Sequence, residues 1–331
     1  MRFCVRKYRG IAIFIAEGLI PNTYIMKNFA EIESQCSLLF DQSGPFFHLW
    51  TPEDHPAIFT NENLFKAGMN IMAISALLVP EVRIITFELM VNHVHITAAG
   101  SEENDLRLFN LFKRYLSKYL KANGHVVDLS GFVAKTREIT TLQDLRNVIT
   151  YNNRNGYVVN PNYTPFSYPW GANVYYFNPQ AKIRFSESYG KLLRNARREF
   201  IRTHDSDNLD ALITVDGFAC PLSFCDIRLG ESLFRCASHY FREVSRNIES
   251  QKKIAEEIGE RIFYTDDELF SIVCSVSKAK YGQTKATLLP VNAKKELALM
   301  LHNDYNAGNK QINRMLKLDM SIINALFPVR Y

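Results

Sequence analysis

Hydrophobic and polar positions alternate with two different periods along the first half of the chain, and together they predict a mixed fold. Short apolar runs bounded by turn residues are typical of strands, whereas apolar residues three and four positions apart are typical of amphipathic helices. Residues 46–156 therefore predict the order β-α-β-β-α-β-α. The first strand is predicted at 46–51, the second begins at 82, and the third and fourth are predicted at 93–98 and 132–134. The helices are predicted at 61–78, 101–122 and 141–156.

The first six of these elements follow the order of a split β-α-β arrangement, so the predicted fold class is α+β with a ferredoxin-like antiparallel sheet. The C-terminal part is predicted to be mostly helical. Its last segment reads as a short helix, a tight turn and a second short helix, which is the outline of a helix-turn-helix. The predicted regions are an N-terminal extension at 1–40, the sheet domain at 41–180, a helical accessory region at 181–290 and a helix-turn-helix-like unit at 291–331.

Composition adds three limits to this outline. The chain has 331 residues with 47% hydrophobic and 22% charged residues, which is typical of globular proteins, and its net charge of +5 permits nucleic acid as a partner. Six scattered cysteines without a C-x-x-C pair predict reduced thiols and a cytoplasmic location. No apolar run reaches the length of a membrane span. Met26 is predicted to be the natural start, with residues 1–25 as an upstream extension.

The turn between the second and third strands is followed by two histidines, His93 and His95. Side chains alternate along a strand, so both imidazoles are expected on one face and Val94 on the other. Two imidazoles on one side of a rigid strand form half of a site for a divalent metal. The alternative is one buried and one surface histidine without any metal.

The helix after the fourth strand supplies two more candidate groups, Tyr151 and Asn155, which are four residues apart and therefore on one helix face. In this hypothesis the amide oxygen of Asn155 completes the metal site of His93 and His95, and Tyr151 lies beside the metal. A divalent cation would stabilise the charge that builds on a phosphodiester, while the phenol attacks in line through a covalent intermediate.

These motifs resemble those of the single-tyrosine HUH transposases, and most closely the REP-associated tyrosine transposase branch. The His-hydrophobic-His motif appears as His93-Val94-His95, and the Tyr-x-x-x-Asn-Pro motif appears at 151–156 with glycine in place of proline. A Trp-Pro-Trp/Phe-Ser-like segment, which follows the tyrosine motif in the family, appears here as Tyr168-Pro169-Trp170-Gly171. Val91 also stands where the family tends to have proline. The resemblance covers roughly residues 40–177.

The resemblance implies that Tyr151 cuts single-stranded DNA, holds a 5′-phosphotyrosine and leaves a free 3′-OH. It also implies that His93, His95 and Asn155 bind Mg²⁺ or Mn²⁺, and that folded single strands such as hairpins are the substrates. The oligomeric state stays open, because some relatives are dimers and the REP-associated branch resembles monomers. The two replaced prolines remove no catalytic group but leave room for a domesticated protein with reduced activity.

Basic and polar residues on three predicted helices are candidate DNA contacts. The helix at 101–122 interleaves bases with its apolar positions, and they form either a solvated face or a phosphate-facing surface. The short helix at 309–316 would present polar residues to DNA, although any three-helix unit gives a similar pattern. The candidate DNA contacts are Lys113, Arg114, Arg154, Lys310, Gln311 and Arg314.

Two other functions are compatible with the same residues. One is a non-catalytic protein that recognises structured DNA with the same fold and regulates transcription. The other is a zinc hydrolase built on His93 and His95, which would need a further strong ligand and a general base. The loop at 157–177 is dense in proline and aromatic residues and is predicted to pack against the sheet rather than to stack on bases.

Overall fold

The structure is a computed structural model, and it describes residues 22–158, 163–164, 166–183, 188–191, 209, 212–246, 254–255 and 263–328. These residues form an α+β fold around a four-stranded antiparallel sheet. The sheet order is β2-β3-β1-β4, and β1 and β2 run parallel to each other because both pair antiparallel with β3 between them. The strands are β1 Phe46–Trp50, β2 Arg83–Leu89, β3 Val94–Ala99 and β4 Lys135–Ile139.

The helices of the first half cover both faces of this sheet. Helices α2 and α3 pack against each other, and Leu89 of β2 lies against Gly68 of α2. Helix α4 packs on β2 and β3 from the opposite face. The N-terminal helix α1 also contacts α4. The bounds are α1 Asn22–Ser43, α2 Glu62–Leu78, α3 Glu102–Ala122 and α4 Leu142–Val158.

The predicted starts of the helices at 61, 101 and 141 are confirmed to within one residue, and a capping side chain marks each of them. The side chain of Asn61 accepts a hydrogen bond from the backbone N–H of Leu64, and Ser101 accepts one from Asn104. Thr141 Oγ1 accepts a hydrogen bond from the Asp144 backbone at the start of α4, at 3.1 Å. Each cap satisfies an N–H that has no partner within its own helix.

The predicted fourth strand at residues 132–134 is wrong, because the strand lies at Lys135–Ile139. Phe132 is fully buried and its ring lies 5.5 Å from the ring of Phe109 and 6.5 Å from that of Phe112. It anchors the chain in the core just before the strand begins. The strand itself is mostly polar because β4 is a sheet edge with partly exposed side chains, so the hydrophobic pattern gave the wrong position.

The other edge of the sheet, at β2, is covered by later parts of the chain. Leu89 donates a backbone hydrogen bond to Trp170, at 2.8 Å, and Ala172 donates one to Phe87, at 3.0 Å. Farther along the strand, Asp226 donates to Ile84, at 2.8 Å. The prediction that the aromatic loop packs against the sheet is confirmed here, since Trp170 is buried.

The segment after the aromatic loop contains short helices and strands whose positions were not predicted from the sequence. A two-stranded hairpin lies within the region that was predicted to be mostly helical, and its turn residues Asp216 and Gly217 have positive φ, as hairpin turns favour. Much of the predicted accessory region at 181–290 lies outside the described residues. The described elements are α5 Pro179–Ile183, β5 Thr214–Val215, β6 Phe218–Ala219, α6 Ile227–Ser232 and α7 Ala237–Arg246.

The C-terminal helices have a hydrophobic core of their own, separate from the core around the sheet. Asp319 caps the last helix by accepting a hydrogen bond from the backbone N–H of Ser321. One buried ion pair, between Arg154 of α4 and Glu268, joins this unit to the sheet domain. The helices are α8 Asp266–Tyr281, α9 Val291–Tyr305, α10 Asn309–Leu316 and α11 Met320–Leu326.

None of the helices in the described ranges is long and apolar enough to cross a membrane. Five of the six cysteines lie in these ranges as free thiols, and Cys4 lies outside them. The predicted upstream extension at 1–25 falls almost wholly outside the described residues.

A buried carboxyl group in the first turn of α3 gives a testable pH dependence. Asp105 is buried, and neither of its carboxyl oxygens has a hydrogen-bond partner among the described residues. Burial, together with the neighbouring Glu102 charge, raises the pKa of Asp105 to about 7. Between about pH 4 and 7 the folded state therefore keeps a proton that the unfolded state has lost, so stability falls as pH rises, by up to about 1.4 kcal/mol per pH unit.

The isosteric change Asp105→Asn should remove this pH dependence and stabilise the protein by about 2–4 kcal/mol at pH 8, because the pKa of Asp105 is raised from 3.8 to about 7. At pH 4 the two proteins should have nearly the same stability. Urea unfolding of both proteins at the two pH values measures the difference. An equal difference at pH 4 and pH 8 would show that the buried carboxyl group is not the cause.

Candidate functional site

The sheet face that meets α4 is polar, which is unusual for the interior of a sheet-and-helix layer. Alternation along the strands places five polar side chains on this face, and all are buried. Several of them contact α4 directly. They are His48, Thr86, Glu88, His95 and Thr97.

His93 and His95 lie together at the start of β3, as their spacing predicts. Their ring centroids are 5.0 Å apart, and the two rings are nearly perpendicular. Both side chains are buried. Burial lowers the pKa of His93 to about 4 and lowers the pKa of His95 well below its usual value. Both imidazoles are therefore neutral at neutral pH, which is the form that binds metals.

Asn92 holds the ring of His93 in one orientation. Its Oδ1 lies 2.8 Å from His93 Nδ1, so a proton on Nδ1 is donated to the amide. The amide nitrogen of Asn92 donates in turn to the backbone carbonyl of Glu53. This arrangement leaves the lone pair of His93 on Nε2, the atom that points away from Asn92.

Helix α4 brings Tyr151 and Asn155 to the same place. Asn155 Nδ2 lies 3.2 Å from His95 Nε2, and the ring of Tyr151 is edge-on to the ring of His95, with centroids 5.7 Å apart. A half-turn of the Asn155 amide puts its oxygen where the nitrogen lies. The four residues singled out from the sequence are thus brought together by β3 and α4.

The Tyr151 ring is only 4% exposed. It lies between α4 and the polar sheet face, so a DNA strand reaches the phenol only when the side chains that cover it move. In this respect Tyr151 differs from a nucleophile that is accessible to its substrate.

The donor atoms of this cluster fit a divalent metal of moderate hardness. Two neutral imidazole nitrogens and one amide oxygen are ligands that Mn²⁺ and related ions accept, with positions left for substrate oxygens. In the described part of the chain no three His, Cys, Asp or Glu side chains converge on one point. A zinc hydrolase would need such a third strong ligand, so the geometry does not support that alternative.

Glu88 supports the end of α4 behind the cluster. It lies opposite His95 across the β2–β3 pair, and its Oε2 accepts a hydrogen bond from the backbone N–H of Gly156, at 2.6 Å. Burial raises the pKa of Glu88 well above its usual value. A proline at position 156 would have no N–H to donate, so this contact requires a residue other than proline there.

Gly156 is also tightly packed, and this gives a second prediction. A Cβ at this position would lie 2.1 Å from Cδ1 of the buried Tyr168 ring, whose hydroxyl donates to the Leu89 carbonyl and holds the ring in place. Gly156→Ala should therefore destabilise the protein by about 1–3 kcal/mol in urea unfolding. Gly131→Ala is the control, since its Cβ would meet nothing closer than 3.8 Å. Equal effects of the two changes would contradict the packing argument.

The candidate DNA contacts fall into two groups. Arg114 and Lys310 are exposed and Lys113 is partly exposed. Arg154 is buried against Glu268, and Arg314 makes a bidentate ion pair with Asp266 at the start of α8, with Nε at 2.6 Å. Gln311 donates to the Tyr264 carbonyl and to Asp266. Gln311 and Arg314 thus bond within the C-terminal unit, and Arg154 joins that unit to the sheet domain. This placement does not favour DNA contacts by the three side chains.

Sequence reasoning missed His48 and Glu88 as part of this cluster. His48 stacks on His95, with ring centroids 5.6 Å apart. The available signals were a histidine within the apolar run Phe46–Trp50 and an acid within β2. A polar residue inside a buried strand needs a polar neighbour. The sequence did not show which neighbour it was. Comparison of the chain with family models, with curated proteins and with solved structures gave no match.

Proposed function

We propose that this chain is a divalent-metal-dependent nuclease of the HUH transposase type, which cuts and rejoins single-stranded DNA through a 5′-phosphotyrosine. The observation that carries the proposal is the convergence of His93, His95, Asn155 and Tyr151. The rings of His93 and Tyr151 lie 5.0 and 5.7 Å from the ring of His95, and the Asn155 amide nitrogen lies 3.2 Å from His95 Nε2. A strand and a helix position these side chains, and such elements fix a site more precisely than loops do.

Each residue has a separate task in this proposal. His93, His95 and Asn155 would hold Mg²⁺ or Mn²⁺, which polarises a phosphodiester oxygen and stabilises charge in the transition state. The Tyr151 phenol gives up its proton as its oxygen attacks the phosphorus, the bond from phosphorus to the 3′ oxygen breaks, and that oxygen takes up a proton and leaves as a 3′-OH. Attack by a 3′-OH on the phosphotyrosine reverses the step and joins a new strand.

Two features of the fold agree with this function. The strand order β2-β3-β1-β4 with antiparallel neighbours supports the predicted ferredoxin-like sheet, and His95 lies on the central strand β3, with His93 directly before it. In the C-terminal unit α10, the turn at Lys317 and α11 have the outline of a helix-turn-helix, and Lys310 is exposed there. Together with Lys113 and Arg114 on α3, this unit would bind the DNA that flanks the cleavage point.

The test is a covalent-adduct assay on the full chain. Single-stranded oligonucleotides that carry the hairpins flanking the gene are incubated with the protein and Mn²⁺ or Mg²⁺. A protein–DNA adduct should appear on denaturing gels only with metal, and peptide mass spectrometry should locate the nucleotide on Tyr151. Absence of an adduct with every flanking hairpin, or an adduct on a different residue, would refute the proposal.

The burial of Tyr151 favours a second candidate, a protein of the same fold that binds DNA hairpins without cutting them. In that case hairpin affinity would depend steeply on salt because it depends on phosphate contacts. It would be unchanged by Tyr151→Phe and His93→Ala. A nuclease would instead lose the adduct in both variants.

A further inference from the structure

His48 lies behind the proposed metal site, on the side away from Asn155. Its side chain is fully buried on β1, and its Nε2 lies 3.4 Å from Nδ1 of His95. On the other edge of the His95 ring, Nε2 faces the Asn155 amide at 3.2 Å. His95 is therefore held between a second histidine and an asparagine, one on each ring nitrogen.

The contacts on the two edges of the His95 ring fit one direction of donation. An amide nitrogen can only donate, so Asn155 Nδ2 donates to His95 Nε2, and the lone pair of His95 lies on that nitrogen. The other ring nitrogen of His95, Nδ1, faces Nε2 of His48. His48 Nδ1 has no hydrogen-bond partner among the described residues.

A neutral imidazole carries one proton, and its two nitrogens cannot both donate. The proton of His95 therefore belongs on Nδ1, where Nε2 of His48 is placed to accept it, and its lone pair belongs on Nε2. This is the nitrogen next to Asn155 and the one that a metal shared with Asn155 would use. Hydrogen bonds to the second nitrogen of a histidine ligand commonly fix its tautomer and orientation.

We infer that His48 is a positioning residue that fixes His95 in the tautomer with its proton on Nδ1, so that Nε2 is presented for metal binding. The inference rests on the proposed function for its purpose, but the tautomer itself is a property of the metal-free chain. His48 does not touch the metal in this arrangement. It acts only through His95.

The test reads the tautomer directly. The full chain is labelled with ¹⁵N in its histidine rings, and long-range ¹H–¹⁵N correlation spectra of the metal-free protein at neutral pH distinguish a proton on Nδ1 from one on Nε2. The His95 signals are assigned by their loss in His95→Gln. Wild-type His95 should carry its proton on Nδ1, and a proton on Nε2 would overturn the inference.

Two variants of His48 separate positioning from packing. His48→Gln offers a carbonyl oxygen that accepts from His95 Nδ1, so the tautomer should be kept. His48→Leu has a similar volume but no acceptor, so a proton on Nε2 should become dominant. The rings of His55 and His302, which lie elsewhere, report whether each variant is folded. An unchanged His95 tautomer in a folded His48→Leu protein would overturn the inference.

Mn²⁺ binding, measured by electron paramagnetic resonance, gives the second readout. His48→Leu should weaken Mn²⁺ affinity by about 10–100-fold, as loss of such supporting partners does, whereas His48→Gln should retain most of it. The inference about His48 and the proposed metal-dependent function can be refuted independently of each other. If the tautomer is as inferred but wild-type protein binds no Mn²⁺, the metal-dependent function is refuted and the role of His48 in orienting His95 stands.

Discussion

Tyr151→Phe should abolish the covalent protein–DNA adduct completely, while leaving the fold and the binding of hairpin DNA intact. The change removes only the hydroxyl oxygen that attacks the phosphorus, and no other group on α4 takes its place. The ring stays buried in its edge-on contact with His95, so little packing energy is lost. The adduct is measured on denaturing gels with labelled oligonucleotide and Mn²⁺, over times long enough to detect about one part in a thousand.

Tyr119→Phe is the matched control for this experiment. Tyr119 is a half-buried tyrosine on α3, on the opposite side of the sheet from α4, so its hydroxyl has no part in the proposed chemistry. The control should form the adduct at the wild-type rate. Adduct formation by Tyr151→Phe, or its loss in both variants, would show that the phenol of Tyr151 is not the nucleophile.

The largest expected effect on stability is that of Glu268→Gln. Arg154 and Glu268 form an ion pair with side chains only 4% and 10% exposed, so the change leaves a buried guanidinium without its charged partner. Removing one member of a buried pair costs about 3–5 kcal/mol, and the remaining neighbours of Arg154 should reduce the loss to about 2–3 kcal/mol. Urea unfolding of the full chain measures it.

Glu296→Gln provides a control at an exposed ion pair. Glu296 bonds to Lys280 on the surface of the C-terminal unit, where both side chains are more than half exposed, and its loss should change stability little. The double variant Arg154→Leu with Glu268→Leu should recover much of the stability lost in Glu268→Gln, because it buries no unpaired charge. A double variant as unstable as Glu268→Gln would show that packing rather than charge joins the two units.

The effect of Glu268→Gln should extend to the candidate site. Arg154 precedes Asn155 on α4, and Glu268 also accepts from Thr265 in the box that caps α8. The ion pair thus links the start of a C-terminal helix to the residue next to a proposed metal ligand. Weaker Mn²⁺ binding in Glu268→Gln, at a temperature where the protein is folded, would report this link.

The sheet and its helices could be predicted from the sequence wherever apolar periodicity and capping residues coincide. Asn61, Ser101 and Asp319 each marked a helix start, and alternation placed His93 and His95 on one face. The strand β4 could not be located, because an exposed edge strand lacks the apolar pattern on which the prediction depends. The helix α1 was missed because residues 1–40 were interpreted as an N-terminal extension.

The candidate site could be predicted only in part, for a related reason. The residues of β3 and α4 carry short-range patterns that are visible in a single sequence. His48 and Glu268 act through contacts with residues 47 and 114 positions away, and no local pattern reports such a contact. Gln311 and Arg314 illustrate the converse, because a polar helix face suits DNA and an intramolecular acid such as Asp266 equally well.

The covered edge of β2 restricts how two copies of this protein could associate. Backbone groups of Trp170, Ala172 and Asp226 bond to Leu89, Phe87 and Ile84 along that strand, so a second chain could not pair with its whole length without displacing them. Only β4 still offers an outer row of such groups in the described part of the sheet. An eight-stranded sheet shared by two molecules would have to be joined through β4, with its lysine and arginine side chains brought face to face.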